Sequence, residues 1–85
     1  MSERIEEFNN VLNDINAEIL NSHSDNLIDD GIIDSLSLVQ LTIALEETFS
    51  IIIDPDEIVE DNFRTIENIW ELVKKCLQEK EHMQD

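Results

Sequence analysis

The chain has 85 residues, and its 21 Asp and Glu against 5 Lys and Arg leave a formal charge of −16. So acidic a chain is repelled by nucleic-acid phosphates and by anionic bilayers, since both are bound through clustered Lys and Arg that displace counterions. Its length allows one small domain, its 41% apolar content allows a modest core, and its partners should present basic surfaces. One cysteine forbids an internal disulfide, so packing alone must hold the fold, and a reducing, cytoplasmic setting is the simpler expectation. No apolar run approaches the length of a membrane span, and Met1-Ser2-Glu3-Arg4 lacks the basic start and apolar stretch of a signal peptide. With one Gly, one Pro and no low-complexity tract, nothing divides the chain, and residues 1–85 are expected to form a single domain.

A first helix is expected over about 2–20. Ile5, Phe8, Leu12, Ile15 and Ile19 recur at spacings of three and four, Val11 flanks them, and Glu, Asn and Asp fill the opposite face. Ser2 can cap this helix, and Glu3 suits the positive end of its dipole. From Asn21 to Asp34 the period disappears and Asn, Ser, Asp and Gly accumulate, which predicts an irregular loop pinned to the core by Leu27 and Ile32.

The second helix is predicted over 35–49, with Asp34 as its N-cap. Leu38, Leu41, Leu45 and Phe49 form the stripe a core needs, while Leu36, Val39 and Ile43 form a second stripe turned away from it. Three spare apolar residues on an exposed face require a reason. Ser50-Ile51-Ile52-Ile53 is rich in β-branched residues but has no second strand to pair with, so an extended connector is expected. Asp54-Pro55-Asp56-Glu57 then starts a short helix over about 55–60, with Asp54 as cap, Pro55 at the first position, Glu57 closing a capping box, and Ile53 and Ile58 as a hydrophobic staple. A last helix over about 66–80 places Ile66, Ile69, Trp70, Val73 and Leu77 on one face, with Lys74, Lys75 and Lys80 toward its C-terminal end. The sum is all-α: a small four-helix bundle of three longer helices and one short one.

The segment Asp30-Gly31-Ile32-Ile33-Asp34-Ser35-Leu36 carries the chemistry, because Ser35 stands at the mouth of a loop and at the positive end of a helix. Asp34-Ser35-Leu36, followed by Val39-Gln40-Leu41, Ala44-Leu45-Glu46-Glu47 and Phe49, resembles the attachment motif of the acyl carrier proteins. The likeness runs from about Leu27 through Leu77 and includes the Ile-rich connector and the acidic start Pro55-Asp56-Glu57. The resemblance implies that the Ser35 hydroxyl accepts 4′-phosphopantetheine from coenzyme A and that the thiol of this arm carries cargo as a thioester. Independently of any likeness, a helix N-terminus with unpaired N–H groups suits an attached phosphodiester, Asp34 would hold that helix start, and Gly31 would supply a tight turn. The chain needs no general base of its own, because the resemblance implies that a phosphopantetheinyl transferase, the holo-carrier synthase, deprotonates Ser35.

The outward stripe Leu36, Val39 and Ile43, rimmed by Gln40, Glu46 and Glu47, corresponds to the surface that carrier proteins offer to their enzymes. Charge speeds encounter with a basic partner, and a small apolar patch gives contact without long residence. Ile52 stands where a polar residue is common in the family, and its exposure would enlarge a partner or cargo contact. The implied partners, besides the transferase, are acyl- or aminoacyl-activating ligases and acyl-transferring or condensing enzymes with basic docking surfaces.

The expected function is that of a non-catalytic, monomeric, stand-alone carrier serving fatty-acid or related acyl or secondary-metabolite synthesis. Ser37 and Gln40 stand where fatty-acid carriers have Asp and Glu, and Ile32-Ile33-Asp34-Ser35 with Val39-Gln40-Leu41 also looks like the D-alanyl carrier proteins, so an aminoacyl cargo stays open. A rival of another class is an unmodified acidic module that only binds a basic protein, with Ser35 a plain helix-start residue. Ser50 replaces the usual Gly after Phe49, which predicts a helix end without a left-handed cap. No metal site is expected. Asn26–Ser37 laid on a calcium loop puts Ile28 at a ligand position and Ser37 in place of the closing Glu, and His23 and His82 have no ligand spacing. Cys76 and Trp70 read as packing residues.

Overall fold

The computed structural model describes residues 4–82, of which the side chains of the last two are left undescribed. The expected caps Ser2 and Glu3 lie outside the described residues. Four α-helices, α1 (Ile5–Ile15), α2 (Glu18–Asn21), α3 (Ser35–Phe49) and α4 (Ile66–His82), are joined by loops and by two 3₁₀ turns, Pro55–Glu57 and Glu60–Phe63. No strand occurs among the described residues, and the fold is the all-α bundle anticipated above.

The single helix expected over 2–20 is two helices. Its apolar spacing continues in phase through Ile19, but the backbone of Asn16 is extended, at φ −165° and ψ 114°. Asn16 holds this break with both ends of its amide: Oδ1 accepts the Glu18 N–H at 2.9 Å, and Nδ2 donates to the Ile32 carbonyl at 3.2 Å. An amide that can start the next turn and also satisfy a distant carbonyl outweighs one more helical turn.

The short α-helix expected over 55–60 is instead the pair of 3₁₀ turns. Asp54 caps the first as anticipated, its Oδ1 taking the Asp56 N–H at 2.9 Å, and Pro55 follows at the first position. The capping box does not form, because the Glu57 carboxylate turns to Lys75 Nζ at 2.8 Å. The Glu57 carbonyl, which a growing α-helix would need, is taken by Asn62 Nδ2 at 2.7 Å. The turn therefore stops.

The core joins all the helices. Phe8, Leu12, Ile19, Leu41, Leu45, Phe49, Phe63, Ile69 and Val73 are fully buried, and Leu27, Ile33, Ile51 and Ile53 bring the loops into it. Leu38, assigned above to the core stripe, is only half-buried, and Thr42 completes the inner face of α3 by donating to the Leu38 carbonyl. Trp70 sits between Phe8 and Phe49, with ring centroids 4.8 and 6.2 Å away, in the tilted arrangement aromatic pairs favour. Arg4 reaches from the start of α1 to the end of α3, lying 4.5 Å over the Phe49 ring and donating to the Thr48 carbonyl. A cation at a helix C-terminus satisfies carbonyls the helix itself cannot.

Ser50 does end α3 in the left-handed region, at φ 55° and ψ 45°. The absence of Gly does not prevent this cap. Ile51 buried beyond it and bonded through its N–H to the Glu46 carbonyl forces the turn at a backbone cost.

Candidate functional site

The loop before α3 is tied down at both ends and in the middle. Leu27 is buried, its N–H donates to the Arg64 carbonyl at 2.7 Å, and its own carbonyl accepts the N–H groups of Ile32 and Ile33. Asn26 Oδ1 accepts the Asp29 N–H, opening a turn that Gly31 closes at φ 76°. Nothing lies within 4 Å of where a Gly31 Cβ would stand, so the requirement for glycine is one of backbone alone. The anchor nearer the site is Ile33 and not the Ile32 predicted from sequence: Ile33 is fully buried, whereas Ile32 is half-buried and is held through its carbonyl by Asn16.

This framework delivers Asp34 in an extended conformation. Its Oδ1 accepts the Ser37 N–H at 2.8 Å, and its carbonyl accepts the Leu38 N–H, so α3 starts where anticipated. The Ser37 N–H is the chief reason the Asp34 carboxyl is held below the usual carboxylate range. Ser35 follows as the first residue of α3 and is exposed. It opens onto a cleft of about 220 Å³ whose lining includes Ile28, Ile33, Leu38 and Glu60. The partial positive charge of the α3 N-terminus is concentrated beside the hydroxyl.

The outward stripe is as the spacing predicts. Leu36, Val39 and Ile43 are 66%, 52% and 50% exposed, with Gln40 and Glu47 exposed beside them. Glu46 differs from the free rim charge expected of it: its Oε2 accepts the Ile53 N–H at 2.9 Å and so ties the connector to α3. Glu60 and the cleft walls carried no signal in the sequence, because only folding brings residues 28, 33, 38 and 60 to one place. Cys76 is buried, and that burial pushes its thiol up, which suits a packing residue. Among the described residues no group of three or more His, Cys, Asp and Glu side chains is arranged to hold a metal ion, and no helix is long and apolar enough to cross a membrane.

A family model described as phosphopantetheine attachment site matches residues 5–73. The chain belongs to that family. Its domain is where 4′-phosphopantetheine is attached covalently, so this group is the cofactor, and such domains meet a phosphopantetheinyl transferase and acyl-handling enzymes. Carrier domains of this kind are not themselves catalytic. Comparison with curated proteins and with solved structures returned no match.

The residues present fit the cofactor. An exposed serine at a helix N-terminus gives a phosphodiester both room and unpaired N–H groups, and the apolar walls of the cleft suit the branched hydrocarbon part of the arm.

Proposed function

We propose that this chain is a carrier protein modified on Ser35, holding acyl groups as thioesters and presenting them to successive enzymes. The observation that carries this reading is the placement of Ser35: exposed, first in α3, and opening onto a partly apolar cleft within the matched region. When attached, the arm supplies a thiol on a flexible tether. Every other requirement falls to the chain's own residues.

Asp34 fixes the start of α3 by accepting the Ser37 N–H, and the first-turn N–H groups left without a helical partner would receive the phosphodiester. Ser35 supplies only an oxygen, and its proton leaves to the modifying enzyme. Ile28, Ile33 and Leu38 offer the arm an apolar wall. Leu36, Val39, Gln40, Ile43 and Glu47 form the docking face, with Glu46 supporting it from the connector side. No Lys or Arg occurs between Arg4 and Arg64, so the docking enzymes are expected to be basic where they touch this face.

Incubation of the folded protein with coenzyme A and a broad-range phosphopantetheinyl transferase tests the assignment by intact-mass spectrometry. The wild type should gain one phosphopantetheine and Ser35→Ala none. No gain on folded wild type, or an undiminished gain in Ser35→Ala, rejects the reading.

A further inference from the structure

The connector after α3 alternates sharply: Ile51 is 4% exposed, Ile52 85% and Ile53 2%. Successive side chains of an extended segment point to opposite sides, so two isoleucines fixed in the core leave the one between them facing water. Glu46 locks this register from α3. Its carbonyl accepts the Ile51 N–H at 3.1 Å and its Oε2 accepts the Ile53 N–H at 2.9 Å. A single exposed isoleucine is ordinary by itself. This one stands between two buried isoleucines that Glu46 holds by hydrogen bonds, just past the C-terminal end of the helix that carries Leu36, Val39 and Ile43. A preorganised side chain loses little freedom on being covered, which is what a binding anchor requires.

Charge indicates what covers it. Exposed Glu47, Asp54 and Asp56 surround the connector, and residues 5–63 contain no Lys or Arg, so the complementary surface is an apolar socket with a basic rim. Reach indicates whose socket it is. An enzyme that modifies Ser35 has its footprint pinned to the first turn of α3, and the helix rises only about 22 Å from there to its end. A transient interface burying roughly 600 Å² on each partner is on the order of 25 Å across.

We propose that Ile52, held outward by Glu46 and its buried neighbours, is the distal anchor by which the phosphopantetheinyl transferase grips this chain. The anchor rests on the carrier reading above. Glu46 acts as a positioning residue, through Ile52 and not by its charge.

The test is the dependence of coenzyme A-dependent modification on carrier concentration, followed by intact mass. Ile52→Ser should raise KM about three- to ten-fold with kcat unchanged, as loss of one anchor does, and Ile52→Leu should restore it. Glu46→Ala should also raise KM, and Ile52→Ser added to Glu46→Ala should cost less than the product of the two single effects. A wild type that is modified while Ile52→Ser keeps the wild-type KM overturns the anchor and leaves the carrier reading intact. Full multiplicativity in the double variant overturns the role of Glu46. A folded wild type that takes no phosphopantetheine removes the carrier reading and the anchor with it.

Discussion

Helices α3 and α4 are of similar length, and each buries one face in the same core, yet their outer faces are opposite in kind. Beyond Ile69, Leu72, Val73 and Cys76, α4 turns charged residues to water, and it ties them down with the ion pairs Lys74–Glu71 and Lys75–Glu57. That is the pattern of a helix with only a core to satisfy. Beyond Leu41, Leu45 and Phe49, α3 presents Leu36, Val39 and Ile43, each at least half exposed, and has no charge before Glu46. Apolar surface that contributes nothing to the core weakens the case for a purely structural helix and supports the docking role proposed for α3. Exposed ion pairs like those on α4 contribute at most about 1 kcal/mol each, so the contrast is one of purpose more than of stability.

The contrast breaks most visibly if the two faces of α3 are attacked separately. Leu45→Ala, in the core, should cost about 2–5 kcal/mol in denaturant unfolding. Val39→Asp, on the outer face of the same helix, should cost roughly 0.5 kcal/mol or less while impairing modification of Ser35 by the transferase. A Val39→Asp variant that unfolds would place Val39 in the core and end the comparison.

A second test sets local charge pairing against the charge of the whole chain. The Asp34 carboxyl is lowered chiefly by the Ser37 N–H, and that of Glu57 chiefly by the Lys75 side chain. A carboxyl lowered by folding stabilises the folded state above its unfolded pKa, and this contribution disappears as pH falls through the lowered value. In a chain of charge −16 the acidic groups also repel one another, and dissolved ions screen that repulsion. Thermal stability should therefore drop as pH falls below about 4, and added salt or magnesium should raise the melting temperature at pH 7. Asp34→Asn, which keeps a capping oxygen but cannot titrate, should reduce the acid-side drop. At high pH the sign reverses for Lys75, raised chiefly by Glu57, whose contribution is lost as pH rises through that raised value. A melting temperature at pH 7 that is indifferent to ionic strength would show that self-repulsion is negligible.

The smallest effects sharpen the comparison at the two ends of α3. Gly31→Ala should destabilise by about 1 kcal/mol, because the added Cβ meets no neighbour but the backbone stays at positive φ. Ser50→Gly should stabilise by about 0.5 kcal/mol, since relief of the left-handed serine outweighs the greater freedom of glycine in the unfolded chain. In a domain of this size 1 kcal/mol moves the melting temperature by roughly 4–8 °C, which calorimetry resolves.

Much of the site was legible because its decisive contacts are short in sequence. Asp34 to Ser37 and Asp54 to Asp56 are caps spanning two or three residues, so the residue types and their spacing specified where α3 and the first 3₁₀ turn begin. The surplus stripe on α3 was legible for the same reason, since a helix of known phase dictates which side chains share a face. The sequence alone therefore determined a helical domain, an exposed serine at a helix start and an acidic, apolar-striped helix behind it. Only the tertiary structure decided that α1 stops at Ile15, that the loop is tied to Arg64, that Glu60 joins the lining of the cleft, and that Glu46 binds Ile53 while Ile52 faces water. Those features join groups that meet only after collapse has brought distant segments together, and whether an amide or carboxylate bonds its neighbour or a remote N–H depends on which surfaces the core has already closed.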